Sequence, residues 1–237
     1  MSKKVPQPYP RRWRNHPRQK RSPRRPTLRF SPTAWAKLLF LRDRGPIEVG
    51  GFGITSPDDL LKVQDIAIVG QSGTELFVAF DDLAVADFFE EQVDQERHPE
   101  QFARIWIHTH PGESAEPSFV DHKTFARVFG PCDWAVMFII ARGGECFAEL
   151  HWKQGGPASI PLNVEVDYSA SFLASDEALW ATEYDANVRA ECPLLNLQDL
   201  EFGRAIFEEE RAEGPDRQDS IAHQSSMHSC PLAWEMA

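Results

Sequence analysis

The stretch from Ile107 to Asp121 constrains this chain more than any other. Residues 104–109 form a short apolar run that carries His108, with His110 two positions on, and it stops at Pro111-Gly112, a dipeptide that turns the chain. Ser118 follows, and residues 118–129 have helical spacing with Ser118 as the N-cap. A buried strand, a sharp turn and a helix are therefore expected in immediate succession. Side chains at i and i+2 on a strand point to one face, so both imidazoles reach the same point. Asp121, in the first turn of the helix, closes a third side. Two neutral imidazoles and one carboxylate suit a catalytic zinc ion, which keeps a fourth position open for water.

Such an ion brings the pKa of water from about 15.7 down towards about 7. A nearby carboxylate must then accept the proton and deliver it to the leaving group. Glu48 is the candidate, because it lies at the end of an early strand in Glu48-Val49-Gly50-Gly51-Phe52-Gly53, where glycines let backbones approach closely. Asp43, Asp58 and Asp59 fall outside that stretch and are poorer candidates. Ser118 is placed to steady an oxyanion, a role compatible with capping. His122 points elsewhere on the helix, and His98, His151, His223 and His228 have no partner at metal spacing. Trp106 and Trp134 read as core, and Glu113 and Glu116 as solvated loop residues. With the zinc ligands complete, Cys132 is not expected to act as a nucleophile.

The string His108-Thr109-His110-Pro111, six residues, Ser118, two residues, Asp121 resembles the signature of the JAB/MPN (JAMM) zinc metalloprotease family. Glu48, followed three residues later by Gly51, matches that family's upstream glutamate. The resemblance spans residues 31–155, about half the chain. It implies a central curved mixed sheet flanked by helices, of the cytidine-deaminase-like kind. It also implies one Zn2+ held by His108, His110 and Asp121, a water held by Glu48, and oxyanion support from Ser118. The activity implied is hydrolysis of a peptide or isopeptide bond after the C-terminus of a ubiquitin-like protein, with associated activating or conjugating enzymes as further partners. Lysine-63-specific relatives carry an insertion with additional Cys and His ligands. Here Gly130-Pro131-Cys132-Asp133 leads straight into a strand, so the compact core looks like prokaryotic members. The alternative from a different class is a non-catalytic MPN-type scaffold or binding module.

The remaining chain reads as a mixed α/β (α+β) domain. Helices are expected over 31–44, 83–97, 118–129, 176–191 and 197–211. Strands are expected over 47–54, 66–69, 76–80, 104–109 and 160–166, with a hairpin of 134–141 and 145–152 turning at Gly143-Gly144. The expected organisation is an arm over 1–30, a metallopeptidase domain over 31–170, a helical extension over 171–212 and a tail over 213–237.

Charge divides the chain in the same way. The net charge is −11, yet residues 1–30 hold eleven Lys or Arg and no acid, with six prolines. That composition predicts a disordered or extended basic arm, available to an acidic partner or nucleic acid, on an acidic body. No apolar run reaches the roughly 20 residues a membrane span needs, and no secretion signal follows the N-terminal charges. Four cysteines without a CxxC pair are expected to be free thiols in a cytoplasmic protein.

Overall fold

A computed structural model describes residues 25–191. The chain enters through β1 (Thr27–Phe30) and turns into α1 (Pro32–Arg44). Ser31 caps α1 by accepting the Ala34 N–H, and Pro32 occupies the first turn, where its missing N–H costs nothing. Next come β2 (Gly50–Ser56), β3 (Asp59–Ala67), β4 (Gln71–Gly73) and β5 (Val78–Phe80). Then follow α2 (Asp82–Asp94), the short α3 (Pro99–Phe102), β6 (Ile105–His110), α4 (Phe119–Val128) and β7 (Trp134–Ala141). The chain continues as β8 (Cys146–Trp152), β9 (Ala158–Pro161), β10 (Asn163–Val166), α5 (Glu177–Asn187) and β11 (Val188–Ala190).

Eight strands make one mixed sheet in the order β10-β1-β3-β2-β6-β7-β8-β9, and β11-β4-β5 make a second, smaller one. The fold is thus of the mixed α/β class expected. At its centre, β6 and β7 run parallel with α4 as the crossover, while β2 lies antiparallel to β6. Strand β7 is apolar along its whole length because both its faces are covered. Ile105, Ile107, Val136, Phe138 and Ile140 pack with α1 on one face. Trp106, Met137, Ile139 and Phe52 pack with residues of α2, α3 and α4 on the other. By the same alternation His108 and His110 share the Trp106 face, the one that α4 covers.

Several elements differ from the expectation. Residues 27–30, assigned to the arm, form a strand because Leu28 and Phe30 are fully buried and β1 pairs in parallel with both β10 and β3. Strand β3 begins at Asp59, well before residue 66, and the expected connector 70–73 contains β4. The expected strand over 160–166 is two strands separated by Leu162. The helix expected over 176–191 ends at Asn187, and the chain continues as β11 beside β4. The segment expected as an extension from 171 packs into the domain as far as α5. Trp180 is buried against Phe40, with ring centroids 5.8 Å apart, and Glu183 pairs with the buried Lys37 at 2.6 Å. The helix expected over 197–211, the tail over 213–237 and the first 24 residues of the arm lie outside the described residues. Cys146 is a free thiol, whereas Cys132 is disulfide-bonded, which corrects the expectation of four thiols. Among the described residues no helix is long and apolar enough to cross a membrane.

Phe52 anchors the face that carries the histidines. Its ring lies within 5.2–5.5 Å of Phe80, Phe88 and Phe89. Phe52→Ala leaves a cavity there, and chemical denaturation is expected to register a loss of about 3–5 kcal/mol.

Candidate metal centre

Three separate stretches bring four side chains together. His108 and His110 stand at the carboxyl end of β6, Asp121 in the first turn of α4, and Glu48 just ahead of β2. Their ligand atoms all lie within 4.8 Å of one another. His108 Nε2 is 3.2 Å from Asp121 Oδ1, His110 Nε2 is 3.5 Å from Asp121 Oδ2, and Glu48 Oε1 is 3.8 Å from His110 Nε2. Strand ends in open α/β sheets are where ligands are usually held, since loops and helix starts converge there.

Local structure fixes each member. Asp121 takes part in a capping box: its N–H donates to Ser118 Oγ at 3.1 Å, and its Oδ2 accepts the Ser118 N–H at 2.7 Å. One carboxylate oxygen is thereby held by the cap while Oδ1 faces His108. His110 is oriented by its Nδ1, 3.0 Å from the Ser114 carbonyl, which leaves Nε2 for the cluster. The turn after it is pinned by the Arg142 N–H, which donates to the His110 and Gly112 carbonyls. His108 is fully buried and stacks on Trp106, ring centroids 4.3 Å apart. Trp106 is therefore core, as expected, and also one wall of the site.

Glu48 stands just outside β2 rather than within a strand, but backbone pairing still holds the segment. Val49 exchanges two hydrogen bonds with Thr109, donating to its Oγ1 at 3.0 Å and accepting its N–H at 2.9 Å. The Glu48 N–H donates to the Thr74 carbonyl at 2.8 Å. Gly51 has to be glycine for β2 to lie against the end of β3, since a Cβ there would come within 2.8 Å of the Ala67 carbonyl. Thr109, Thr74 and the Ser114 carbonyl are parts of the site that sequence reasoning missed. Thr109 alone carried a signal, because it points away from the face its two histidine neighbours share.

Electrostatically the cluster is poised for a cation. Glu48, His108 and Asp121 are each 5% exposed or less. Glu48 Oε2, both ring nitrogens of His108 and His110 Nε2 are buried without a hydrogen-bond partner. Buried polar atoms are normally satisfied, and an ion in the cluster would satisfy the Glu48 oxygen and the Nε2 atoms of both histidines. The donor set of two imidazoles and carboxylate oxygen fits a divalent transition metal such as zinc. Burial, opposed by His110 and reinforced by the Asp121 charge, pushes the Glu48 carboxyl up to about 8. Burial also acts to raise Asp121, but its contacts with His108, His110 and Ser118 outweigh this and hold it below the usual carboxylate range. Burial lowers His108. It acts the same way on His110, but Asp121, the Ser114 carbonyl and Glu48 together raise that residue.

The structure brings together Glu48, His108, His110 and Asp121 as expected, with Ser118 bonded directly to Asp121. Asp43 is held in an ion pair with Arg42, and Asp59 with Arg29, so neither competes with Glu48. His151 pairs with Glu149, apart from the cluster. No protein-family model matches the chain, and no curated protein matches it.

In metal-free protein the raised Glu48 carboxyl means that the folded state binds a proton the unfolded chain has already released. Glu48 should therefore lower stability as pH rises from its ordinary value of 4.5 to about 8. Denaturant titrations of chelator-treated protein across that window are expected to give a shallower decline for Glu48→Gln than for wild type. Ser118→Ala removes the α4 cap and is expected to cost about 1 kcal/mol in the same measurement.

Proposed function

We propose that this chain is a zinc-dependent metallopeptidase of the JAB/MPN type, with the corresponding fold, that cleaves after the C-terminus of a ubiquitin-like protein. The observation that carries this reading is the meeting of Glu48, His108, His110 and Asp121 within 4.8 Å. It occurs in a chain whose motif orders the same residues along the sequence. His108, His110 and Asp121 would hold the ion, and Glu48 is the carboxylate beside it.

A zinc ion in this setting supplies Lewis acidity, polarising a carbonyl and making water acidic enough to attack near neutral pH. Glu48 takes the proton of the attacking water on its carboxylate and passes it to the leaving amine. Its burial favours this, since a desolvated carboxylate binds a proton more firmly than an exposed one. Ser118 Oγ accepts the Asp121 N–H, so its own hydroxyl hydrogen is available for the oxyanion of the tetrahedral intermediate. His110 has the most exposed side chain of the four.

The substrate enters as an extended tail. β5 is an edge strand of the small sheet, and Phe80 reaches Gly50, two residues from Glu48. An extended peptide laid along that edge gains main-chain hydrogen bonds and is led towards the cluster. Glycines at the tail's end suit the narrow approach. The resemblance to enzymes of ubiquitin-like systems supports the choice of substrate class.

Two linked measurements test the proposal. Metal analysis is expected to give about one zinc per chain in wild type and Glu48→Gln, by the one-ion stoichiometry of such catalytic sites, and almost none in His108→Ala/His110→Ala. A ubiquitin-like protein fused through its C-terminal glycine to a peptide or a lysine side chain is the substrate. Turnover should stop with a chelator, return with zinc, and fall by about 100- to 10,000-fold in Glu48→Gln. Wild type that takes up no zinc on reconstitution would favour the scaffold alternative. Cleavage that persists in Glu48→Gln would refute the mechanism.

A further inference from the structure

Gln71 is buried, 4% exposed, and plays no part in the chemistry just described. Its side chain does for Gly50 what a neighbouring strand would do. Gln71 Oε1 accepts the Gly50 N–H at 2.7 Å, while Nε2 donates to the Gly50 carbonyl at 2.9 Å and to the Val69 carbonyl at 3.0 Å. The need for this arises from the register. Strand β3 accompanies β2 only as far as the Phe52–Ala67 pair, so the segment leading back to Glu48 leaves its partner behind. On its other side that segment meets β6, where Gly50 faces His108. The Gln71 amide thus replaces the missing strand at the residue directly opposite a metal ligand and two residues from Glu48.

The geometry points to Gln71 as a positioning residue: its amide sets where the Glu48 carboxylate stands relative to His110 and the metal cluster. This rests on the zinc-peptidase reading and deepens it. Glu48 must lie within hydrogen-bond reach of the proton it takes, and its place is set from two sides. Thr109 on β6 ties Val49 to the strand that carries the histidines. Gln71 and the Thr74 carbonyl tie Gly50 and Glu48 to the small sheet. His108, His110 and Asp121 come from β6 and α4, so releasing Gln71 moves the base and leaves the ligands in place.

The test uses full-length Gln71→Met, which keeps length and apolar bulk while removing all three hydrogen bonds, and Gln71→Glu, which keeps an acceptor for the Gly50 N–H. Zinc stoichiometry, zinc affinity and KM for the ubiquitin-like fusion are expected to match wild type. A displacement near 1 Å predicts that kcat falls by about 10- to 100-fold in Gln71→Met, and by less in Gln71→Glu. A second readout does not depend on turnover. In cobalt-substituted protein, the visible absorption bands of Gln71→Met should shift from the wild-type positions in the direction of those of Glu48→Gln. Wild-type kcat and cobalt bands in Gln71→Met would overturn the assignment. So would parallel loss of zinc affinity and kcat, which would mark a general structural role. If wild type cleaves no fusion, the peptidase reading fails, and the cobalt bands alone still decide whether Gln71 positions Glu48. If Gln71→Met does not fold, the same comparisons are made on Gln71→Glu, with the same outcomes deciding.

Discussion

The pairing of β2 with β6 is the constraint on which the site depends. Antiparallel register places Gly50 opposite His108 and lets Val49 exchange hydrogen bonds with Thr109. A one-residue slip would turn every side chain of β6 to the opposite face and carry both histidines away from α4. The register is held by the burial of Trp106 on one face and of Ile105 and Ile107 on the other. The same packing that stabilises the sheet therefore delivers Glu48 to the histidines.

Around that pairing the protein concentrates polar atoms where a core would ordinarily exclude them. The capping box at Ser118 lets a carboxylate enter the interior by having the start of α4 satisfy one of its oxygens. The Trp106 ring, stacked on His108, keeps water from one side of the imidazole. Removing these groups from water carries a cost that a protein retains only where function repays it. The raised Glu48 carboxyl and the unsatisfied nitrogens express that cost directly. A divalent ion bound among the four groups would relieve it, which links metal binding to stability as well as to chemistry.

Much of this site was legible in the sequence because its determinants are local. His108 and His110 share a face by strand alternation, and Ser118 and Asp121 form a cap by helix geometry. Both relations are complete within a dozen residues. Glu48 was marked only weakly by the glycines that follow it and more firmly by the resemblance, since 60 residues separate it from His108. Gln71 was not legible: a glutamine between glycines reads as a solvated connection, and only the point at which β3 stops pairing gives it a buried task. Strand β1 was concealed for a related reason. Residues 27–30 follow directly on the basic, proline-rich stretch before them, and parallel pairing with β10, far along the chain, is what orders them.

By itself, the sequence determined the strand–turn–helix that carries three of the four clustered side chains, the starts of α1, α2, α4 and α5, and the donor chemistry of the cluster. Those follow from periodicity, caps and side-chain identity, which act over a few residues. Tertiary structure alone decided how Glu48 is held beside the histidines and how α5 and β11 attach to the domain. It also decided which buried amide takes over where a strand ends. These are contacts between residues 21 to 141 positions apart, and such contacts depend on register and burial, which no local pattern encodes.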